Sequence, residues 1–237
     1  MVDSTGGGIV NAVPPIRCVL FDLDGTLLDT APDMAAALNA LRGERGLAPL
    51  PAERIRPHVS NGAAALVRLG FPGLDGDAFE THRLRFLALY AERICVDTAL
   101  FDGAEELLHG LESAGLPWGI VTNKPGWLTD PLLAQMQLDR RAASIVSGDT
   151  LATRKPDPAP LHHAAAQIGV ASADCVYLGD AERDMVAARS AGMRAVFARH
   201  GYFESLRADL YGAELGCDDL WDFARWLGSR TAAGTLA

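Results

Sequence analysis

Lysine and long apolar runs are both scarce in this chain of 237 residues. Of the 21 basic residues, only Lys124 and Lys155 are lysine. No apolar stretch approaches the roughly 20 residues that a membrane-spanning helix needs, so the sequence predicts no membrane contact. The 30 acidic residues give a formal net charge of −9, which argues against an extended nucleic-acid-binding face.

Cysteine is also sparse, and none of the four cysteines forms a C-x-x-C pair (Cys18, Cys95, Cys175 and Cys217). This spacing predicts no zinc site and favours a reduced, cytoplasmic protein. Residues 1–15 have neither the basic start nor the apolar block of a secretion signal. We expect them to be a disordered leader, and residues 229–237 to be a polar, frayed tail.

Short apolar runs alternate with segments of helical periodicity. The predicted strands are Arg17–Phe21, Pro117–Val121, Ala143–Val146, Cys175–Leu178 and Arg194–Ala198. The predicted helices are Gly103–Ala114, Leu128–Met136, Pro158–Ile168 and Glu182–Ala191. Continuously apolar strands that alternate with helices indicate an α/β fold with a Rossmann-like parallel sheet covered on both faces.

Residues 32–99 interrupt this alternation. Helices are predicted at Pro32–Arg45, Ala52–Leu69 and Asp77–Ile94, with no convincing strand between them. We therefore expect a helical subdomain at 32–99, inserted into a core formed by residues 16–31 and 100–228.

Two aspartates follow the first predicted strand. Side chains at i and i+2 on a strand share a face, so Asp22 and Asp24 are expected to project side by side at its carboxyl end. Paired carboxylates repel each other and need a cation or a shared proton, and Mg²⁺ suits such oxygen ligands. The alternative is a simple Asp-Gly hairpin turn, but the following residues lead into a helix rather than a second strand.

Three further motifs follow later in the chain. Thr122 and Asn123 come directly after a strand, where a hydroxyl and free backbone N–H groups suit phosphate, although such residues also cap strands routinely. Lys155 precedes a helix, in a segment that could simply be an ordinary helix entry. Both lysines of the chain, however, fall in candidate site loops, which favours a functional role for them. Asp180 and Asp184 lie at another strand end and helix start, where acidic helix capping is the alternative.

In this order, Asp-x-Asp, Thr, Lys and Gly-Asp-x-x-x-Asp, the chain resembles the haloacid dehalogenase superfamily of phosphatases. The resemblance implies that Asp22 is the nucleophile and Asp24 the general acid and base. It implies that Thr122, Asn123 and Lys155 bind the phosphoryl group, while Lys124 either orients its loop or lies in solvent. It also implies a metal site for Mg²⁺, in which Asp22, the main-chain carbonyl of Asp24 and Asp180 bind the ion and Asp184 holds Mg²⁺-bound water.

The helical insertion matches the position of the superfamily's first-type cap, which closes over the site. Substrate contacts are accordingly expected from Ser60, Asn61 and Gly62. Arg56 or His58 could meet a substrate carboxylate, but scatter on a solvated helix is the favoured explanation of either residue.

Two stretches, Trp118–Pro125 and Gly148–Leu151, resemble bacterial phosphoglycolate phosphatases and the related N-acetylmuramic acid 6-phosphate phosphatases. The expected partner is a small phosphorylated metabolite, with phosphoglycolate ahead of the amino-sugar phosphate, and the expected state is a monomer or homodimer. A sugar-phosphate mutase shares all four motifs and remains an alternative. A response-regulator receiver lacks the helical insertion, and a non-catalytic binding module would not be expected to keep every catalytic position.

Overall fold

The computed structural model describes residues 15–203 and 211–231. Its strands are β1 Cys18–Phe21, β2 Leu28–Asp29, β3 Ala99–Leu100, β4 Trp118–Val121, β5 Ser144–Val146, β6 Cys175–Gly179, β7 Arg194–Ala198 and β8 Leu215–Cys217. Its α-helices are α1 Ala31–Glu44, α2 Ala52–Ile55, α3 Gly62–Gly70, α4 Gly76–Ala91, α5 Ala104–Ser113, α6 Gly126–Gln135, α7 Ala159–Ile168, α8 Glu182–Ser190 and α9 Leu220–Gly228. Short 3₁₀ helices cover Arg56–Asn61 and Ser172–Asp174.

Six strands form one parallel sheet in the order β5-β4-β1-β6-β7-β8. The central strand β1 is buried on both faces, because Val19 and Phe21 belong to one hydrophobic cluster and Cys18 and Leu20 to the other. Helices cover both faces, as the continuously apolar strands require. The predicted α/β, Rossmann-like core is therefore confirmed.

Helices α1 to α4 occupy the chain between β2 and β3, which pair antiparallel with Leu28 opposite Leu100. α1 packs against α4, and its buried Asp33 binds the returning chain. The Asp33 Oδ2 atom accepts hydrogen bonds from the backbone N–H groups of Val96 at 3.0 Å and Thr98 at 2.8 Å. Both ends of the insertion are thus fastened near the same edge of the core.

Some boundaries differ from prediction. The single helix predicted over Ala52–Leu69 is wrong: α2 ends at Ile55, a 3₁₀ segment with Pro57 in its first turn follows, and α3 begins at Gly62. Proline cannot donate to the helical ladder, and Gly62 has a φ of +74°, a value that glycine adopts without strain.

Four short elements were not predicted: β2, β3, β8 and α9. Two-residue strands carry no readable periodicity, and β8 has glycine at its centre. Residues 1–14 of the expected leader (1–15) and residues 232–237 of the expected tail (229–237) lie outside the described residues. Within the described part, no helix combines the length and apolarity needed to cross a bilayer.

Candidate active site

Polar side chains from three neighbouring strands meet at the carboxyl edge of the sheet. Asp22 directly follows β1, Thr122 follows β4 and Asp180 follows β6. Because these strands are adjacent and parallel, their ends lie side by side. Asp22 and Thr122 line a cavity of about 950 Å³ between the sheet edge and the helical insertion.

Asp22 is 3% exposed and forms an ion pair with Lys155. The Lys155 Nζ atom lies 2.9 Å from Asp22 Oδ1 and 2.7 Å from Asp184 Oδ1, and it donates to the Tyr177 hydroxyl at 2.7 Å. The backbone N–H of Leu23 also donates to Asp22 Oδ1, at 2.8 Å. One buried ammonium therefore bridges two carboxylates and fixes the orientation of Asp22.

Asp22, Asp180 and Asp184 form a buried acidic triad, with one oxygen from each lying within 4.8 Å of the others. Burial and the charges of Asp22 and Asp184 raise the pKa of Asp180 to about 8. Burial also raises the pKa of Asp22, although Lys155 opposes the shift. Lys155 and the neighbouring Arg183 supply two positive charges against three carboxylates, so the fully ionised site has an excess of negative charge.

The triad suits a hard divalent cation. Asp180 Oδ2 accepts hydrogen bonds from Ser60 Oγ at 2.6 Å and from the Tyr202 backbone N–H at 2.7 Å. The other oxygen, Asp180 Oδ1, is buried and has no hydrogen-bond partner among the described residues. A buried, unpaired carboxylate oxygen is costly, and a metal ion bound there would remove that cost. The donor set is all oxygen, which is the set that Mg²⁺ prefers.

Two glycines let the backbone pass close to the side chains of the triad. Gly25 has a φ of +82°, and a Cβ atom at this position would collide with the Asp180 carboxylate. A Cβ atom on Gly179 would lie 2.6 Å from Asp184 Cβ. Glycine at these two positions lets the loops after β1 and β6 close on the acidic triad.

Asp24 is held separately from the triad. Its Oδ1 atom accepts from the Thr30 hydroxyl at 2.7 Å and lies 2.5 Å from Lys124 Nζ. Lys124 is buried and also donates to the Tyr90 hydroxyl at 2.9 Å. Burial lowers the pKa of Lys124, but the charges and hydrogen bonds of Asp24 and Tyr90 together outweigh burial, so the pKa is raised overall. Of the two expectations for Lys124, the solvent position is therefore wrong.

The Thr-Asn motif organises the loop that carries Lys155. Asn123 Nδ2 donates to the Lys155 carbonyl at 2.9 Å, and the Lys155 N–H donates to Asn123 Oδ1 at 3.0 Å. The Thr122 hydroxyl accepts from the Lys124 N–H at 3.1 Å. Thr122, Asn123 and Lys155 all line the cavity.

The 3₁₀ segment of the insertion reaches the same site. Ser60, Asn61 and Gly62 line the cavity. Arg183, in α8 beside the triad, donates to the Ser60 carbonyl at 2.6 Å. Arg56 instead forms an ion pair with Asp29 at 2.9 Å.

The site contains side chains that the sequence did not single out. Arg183 lies inside the Gly-Asp-x-x-x-Asp motif, between Asp180 and Asp184, so the sequence could have predicted that it lies at the site. Tyr90 and Tyr177 carried no such signal, because their contacts depend on tertiary packing. The cavity is also lined by Arg83, Leu84, Trp127 and Arg154.

Comparison with known proteins assigns the class. Residues 19–198 match the family described as haloacid dehalogenase-like hydrolase. The chain therefore belongs to the haloacid dehalogenase-like hydrolases.

Its relatives narrow the class to phosphatases. A phosphoglycolate phosphatase from Xanthomonas campestris is 51% identical over 186 residues, which cover 78% of this chain and 84% of that protein. An N-acetylmuramic acid 6-phosphate phosphatase from Pseudomonas aeruginosa is 39% identical over 213 residues, which cover 90% of this chain and 93% of that protein. The expectation of a phosphatase of this superfamily is confirmed.

Solved structures agree on the fold. The crystal structure of a predicted phosphoglycolate phosphatase from Haemophilus somnus superposes with a TM-score of 0.80 at 26% identity, covering 89% of this chain and 97% of that one.

Proposed function

We propose that this phosphatase hydrolyses small phosphomonoesters in a Mg²⁺-dependent reaction through an aspartyl-phosphate on Asp22, with 2-phosphoglycolate as its substrate. The observation that carries the proposal is the arrangement at the end of β1. Asp22 is held by Lys155 at 2.9 Å, and Asp24, two residues on, is held independently by Thr30 and Lys124. Both aspartates line the same cavity.

Asp22 would be the nucleophile. Its carboxylate attacks phosphorus, the bond from phosphorus to the leaving oxygen breaks, and the phosphoryl group stays on Asp22. Water then attacks phosphorus, the bond to Asp22 breaks, and inorganic phosphate is released. The hydrogen bonds from Leu23 and Lys155 support this role, because they orient the carboxylate before the substrate arrives.

Asp24 would transfer protons in both steps. It protonates the leaving oxygen in the first step and accepts a proton from the attacking water in the second. Its position two residues after Asp22 supports this role, because one carboxyl group then reaches both the leaving oxygen and the incoming water.

Thr122 and Lys155 would hold the phosphoryl oxygens. An ammonium group between Asp22 and Asp184 lies where the charge of the phosphoryl group would arrive. We assign Asn123 to the same subsite, where its two amide hydrogen bonds fix the backbone of Lys155.

The metal ligands would be Asp22, the main-chain carbonyl of Asp24, Asp180 and Asp184. Bound Mg²⁺ would neutralise the negative charge of the acidic triad and of the phosphoryl group. Ser60 Oγ lies 2.6 Å from Asp180 Oδ2 and 3.4 Å from the Asp24 carbonyl oxygen, so it touches two of these proposed ligands.

We further propose that residues 32–99 act as a cap over a core of residues 16–31 and 100–228. The support is the cavity, which has walls from both parts. Ser60, Asn61 and Gly62 would meet the substrate from the cap side. Closure of such a lid excludes water from the reacting phosphoryl group.

Phosphoglycolate is preferred because relatives named for it reach 51% identity. The second candidate is N-acetylmuramic acid 6-phosphate, the substrate named for a 39% identical relative. The cavity of about 950 Å³ favours this candidate, since a two-carbon substrate would fill only a small part of it. A cytoplasmic location is also proposed, on the basis of four free cysteines.

The test is phosphate release from both substrates, with Mg²⁺ and with EDTA. We expect activity that needs Mg²⁺, a larger kcat/KM for phosphoglycolate, and complete loss in Asp22→Asn. Asp139→Asn, an exposed carboxylate far from the motifs, serves as the matched control and should behave as wild type. Full activity in Asp22→Asn would refute the nucleophile assignment, and a larger kcat/KM for the amino sugar would select the second candidate.

A further inference from the structure

Lys124 occupies an unusual position for a residue outside the phosphoryl-binding set. Its side chain is 5% exposed, and its ammonium lies 2.5 Å from Asp24 Oδ1. The same ammonium donates to the Tyr90 hydroxyl at 2.9 Å and lies 4.9 Å from the centre of the Tyr90 ring. Tyr90 is 1% exposed and belongs to α4 of the helical insertion, whereas Lys124 and Asp24 belong to the sheet edge.

We propose that Lys124, anchored by Tyr90, is a positioning residue that fixes Asp24 for proton transfer to the leaving group. This inference rests on the proposed function of Asp24. Lys124 and Thr30 both contact Oδ1, so the other oxygen, Oδ2, is the one that carries the transferred proton. Asp24 Oδ2–H then loses its proton to the leaving oxygen as the phosphorus–oxygen bond breaks, and the product departs as an alcohol rather than an alkoxide.

The arrangement also joins proton transfer to the helical insertion. Tyr90 is fixed in α4 by burial and by stacking with Phe86, with ring centroids 6.5 Å apart. The complete chain Tyr90–Lys124–Asp24 therefore requires α4 to lie against the sheet edge. Without the contact from Lys124, the carboxyl group of Asp24 would be free to rotate. A misplaced group loses much of its catalytic effect.

Leaving-group dependence separates positioning from a merely structural role. The alkoxide of an alkyl ester such as 2-phosphoglycolate needs a proton as it departs, whereas the phenolate of p-nitrophenyl phosphate does not. kcat/KM reports the first step, so Lys124→Met should lower it about 100-fold for phosphoglycolate and less than about threefold for p-nitrophenyl phosphate. Tyr90→Phe should lower the phosphoglycolate value about fivefold, and Lys124→Arg should restore part of the loss.

The second step supplies another readout. Asp24 also accepts the proton of the attacking water, whichever ester was used. With p-nitrophenyl phosphate, Lys124→Met should therefore release one equivalent of p-nitrophenol per enzyme in a rapid burst, followed by slow turnover limited by hydrolysis of the aspartyl-phosphate.

Thr129→Val is the matched control. The Thr129 hydroxyl, at the start of α6, is buried and donates to the Lys124 carbonyl at 3.2 Å, but it lies outside the proposed catalytic set. It should leave the ratio of the two kcat/KM values unchanged, while thermal unfolding reports any loss of stability.

The proposal would be overturned if Lys124→Met lowered kcat/KM equally for both esters or left both values unchanged. It would also be overturned if Thr129→Val showed the same selective loss for phosphoglycolate. Failure of the proposed function is distinguishable, because wild-type enzyme would then release no phosphate in Mg²⁺ from either ester. In that case the role of Lys124 is refuted together with the function on which it rests.

Discussion

Single residues at the site carry charges that burial disfavours. Asp180 and Asp184 are 0% exposed and Asp22 is 3% exposed, yet all three carboxylates lie together with one lysine between two of them. Protein interiors rarely retain such an excess of like charge unless a further cation is bound. We therefore expect the metal-free protein to be strained electrostatically at this point and to gain stability when Mg²⁺ binds.

Asp180→Asn is expected to stabilise the metal-free protein at neutral pH. The folded-state pKa of Asp180, about 8, lies above its ordinary value of 3.8, so the wild-type carboxyl favours folding at low pH and this contribution is lost as pH rises towards 8. In EDTA, the wild-type Tm should fall between pH 5 and pH 8 by more than that of the variant. In Mg²⁺ the order should reverse, because Asn lacks the charge that binds the cation.

Asp139→Asn should track the wild type in this experiment, since Asp139 is exposed. If the Tm of Asp180→Asn exceeds that of the wild type by the same amount in Mg²⁺ as in EDTA, Asp180 is not a metal ligand. Calorimetric titration with Mg²⁺ gives an independent readout, in which Asp180→Asn should lose measurable binding.

At the scale of elements, the loop after β1 brings Asp22 and Asp24, the two aspartates of the proposed mechanism, to the sheet edge. Its path depends on Gly25, which combines a left-handed φ of +82° with a position against the Asp180 carboxylate. The backbone strain and the steric clash are separate effects, and a second glycine of the chain separates them. Gly46 has a φ of +70°, but a Cβ atom there would meet nothing within 4 Å.

Gly25→Ala and Gly46→Ala form a matched pair. Both should lose about 1 kcal/mol from the left-handed backbone, as measured by urea unfolding. Only Gly25→Ala should also displace Asp180, and we expect its kcat to fall at least about 100-fold. Equal activities in the two variants would show that the approach of Gly25 to Asp180 is unimportant.

Elements differ in how far the sequence predicts them. Arg194–Ala198 is predicted at its observed boundaries, because four consecutive apolar residues indicate a strand buried on both faces. The segment 52–69 is mispredicted, because apolar spacing alone does not register the break that Pro57 and Gly62 impose. Three-residue β8 is invisible, because its pairing with β7 supplies what its own pattern lacks.

The residues of the candidate site also divide into those that the local sequence predicts and those that it does not. Asp22, Asp24, Thr122 and Asp180 were predictable, because parallel strands place their carboxyl ends together whatever the details of packing. The contacts of Ser60 with Asp180, 120 residues away, and of Lys124 with Tyr90, 34 residues away, depend on how α4 and the 3₁₀ segment dock. No local pattern encodes that docking.

At the scale of the whole molecule, the insertion and the core enclose a cavity with two kinds of wall. The polar floor carries Asp22, Asp24 and Lys155, which take part in the proposed reaction. The walls include Leu84 from α4 and Trp127 from α6, whose exposed fractions are 55% and 53%. Large apolar side chains left exposed around a binding cavity mark surfaces that a ligand covers. Phosphoglycolate, with two carbons, would fill only a small part of this cavity of about 950 Å³.

Trp127→Ala therefore distinguishes the two candidate substrates. A sugar ring that covers the indole would lose about 1.4 kcal/mol of contact, which corresponds to an about tenfold lower kcat/KM. If the second candidate is correct, kcat/KM for N-acetylmuramic acid 6-phosphate should fall by this factor, whereas the value for phosphoglycolate should change less than about twofold. Leu47→Ala, which removes a 42% exposed apolar side chain elsewhere, is the control for general surface effects. If Trp127→Ala changes kcat/KM equally for both substrates, this wall does not discriminate by size. The preference for phosphoglycolate would then rest only on its relatives.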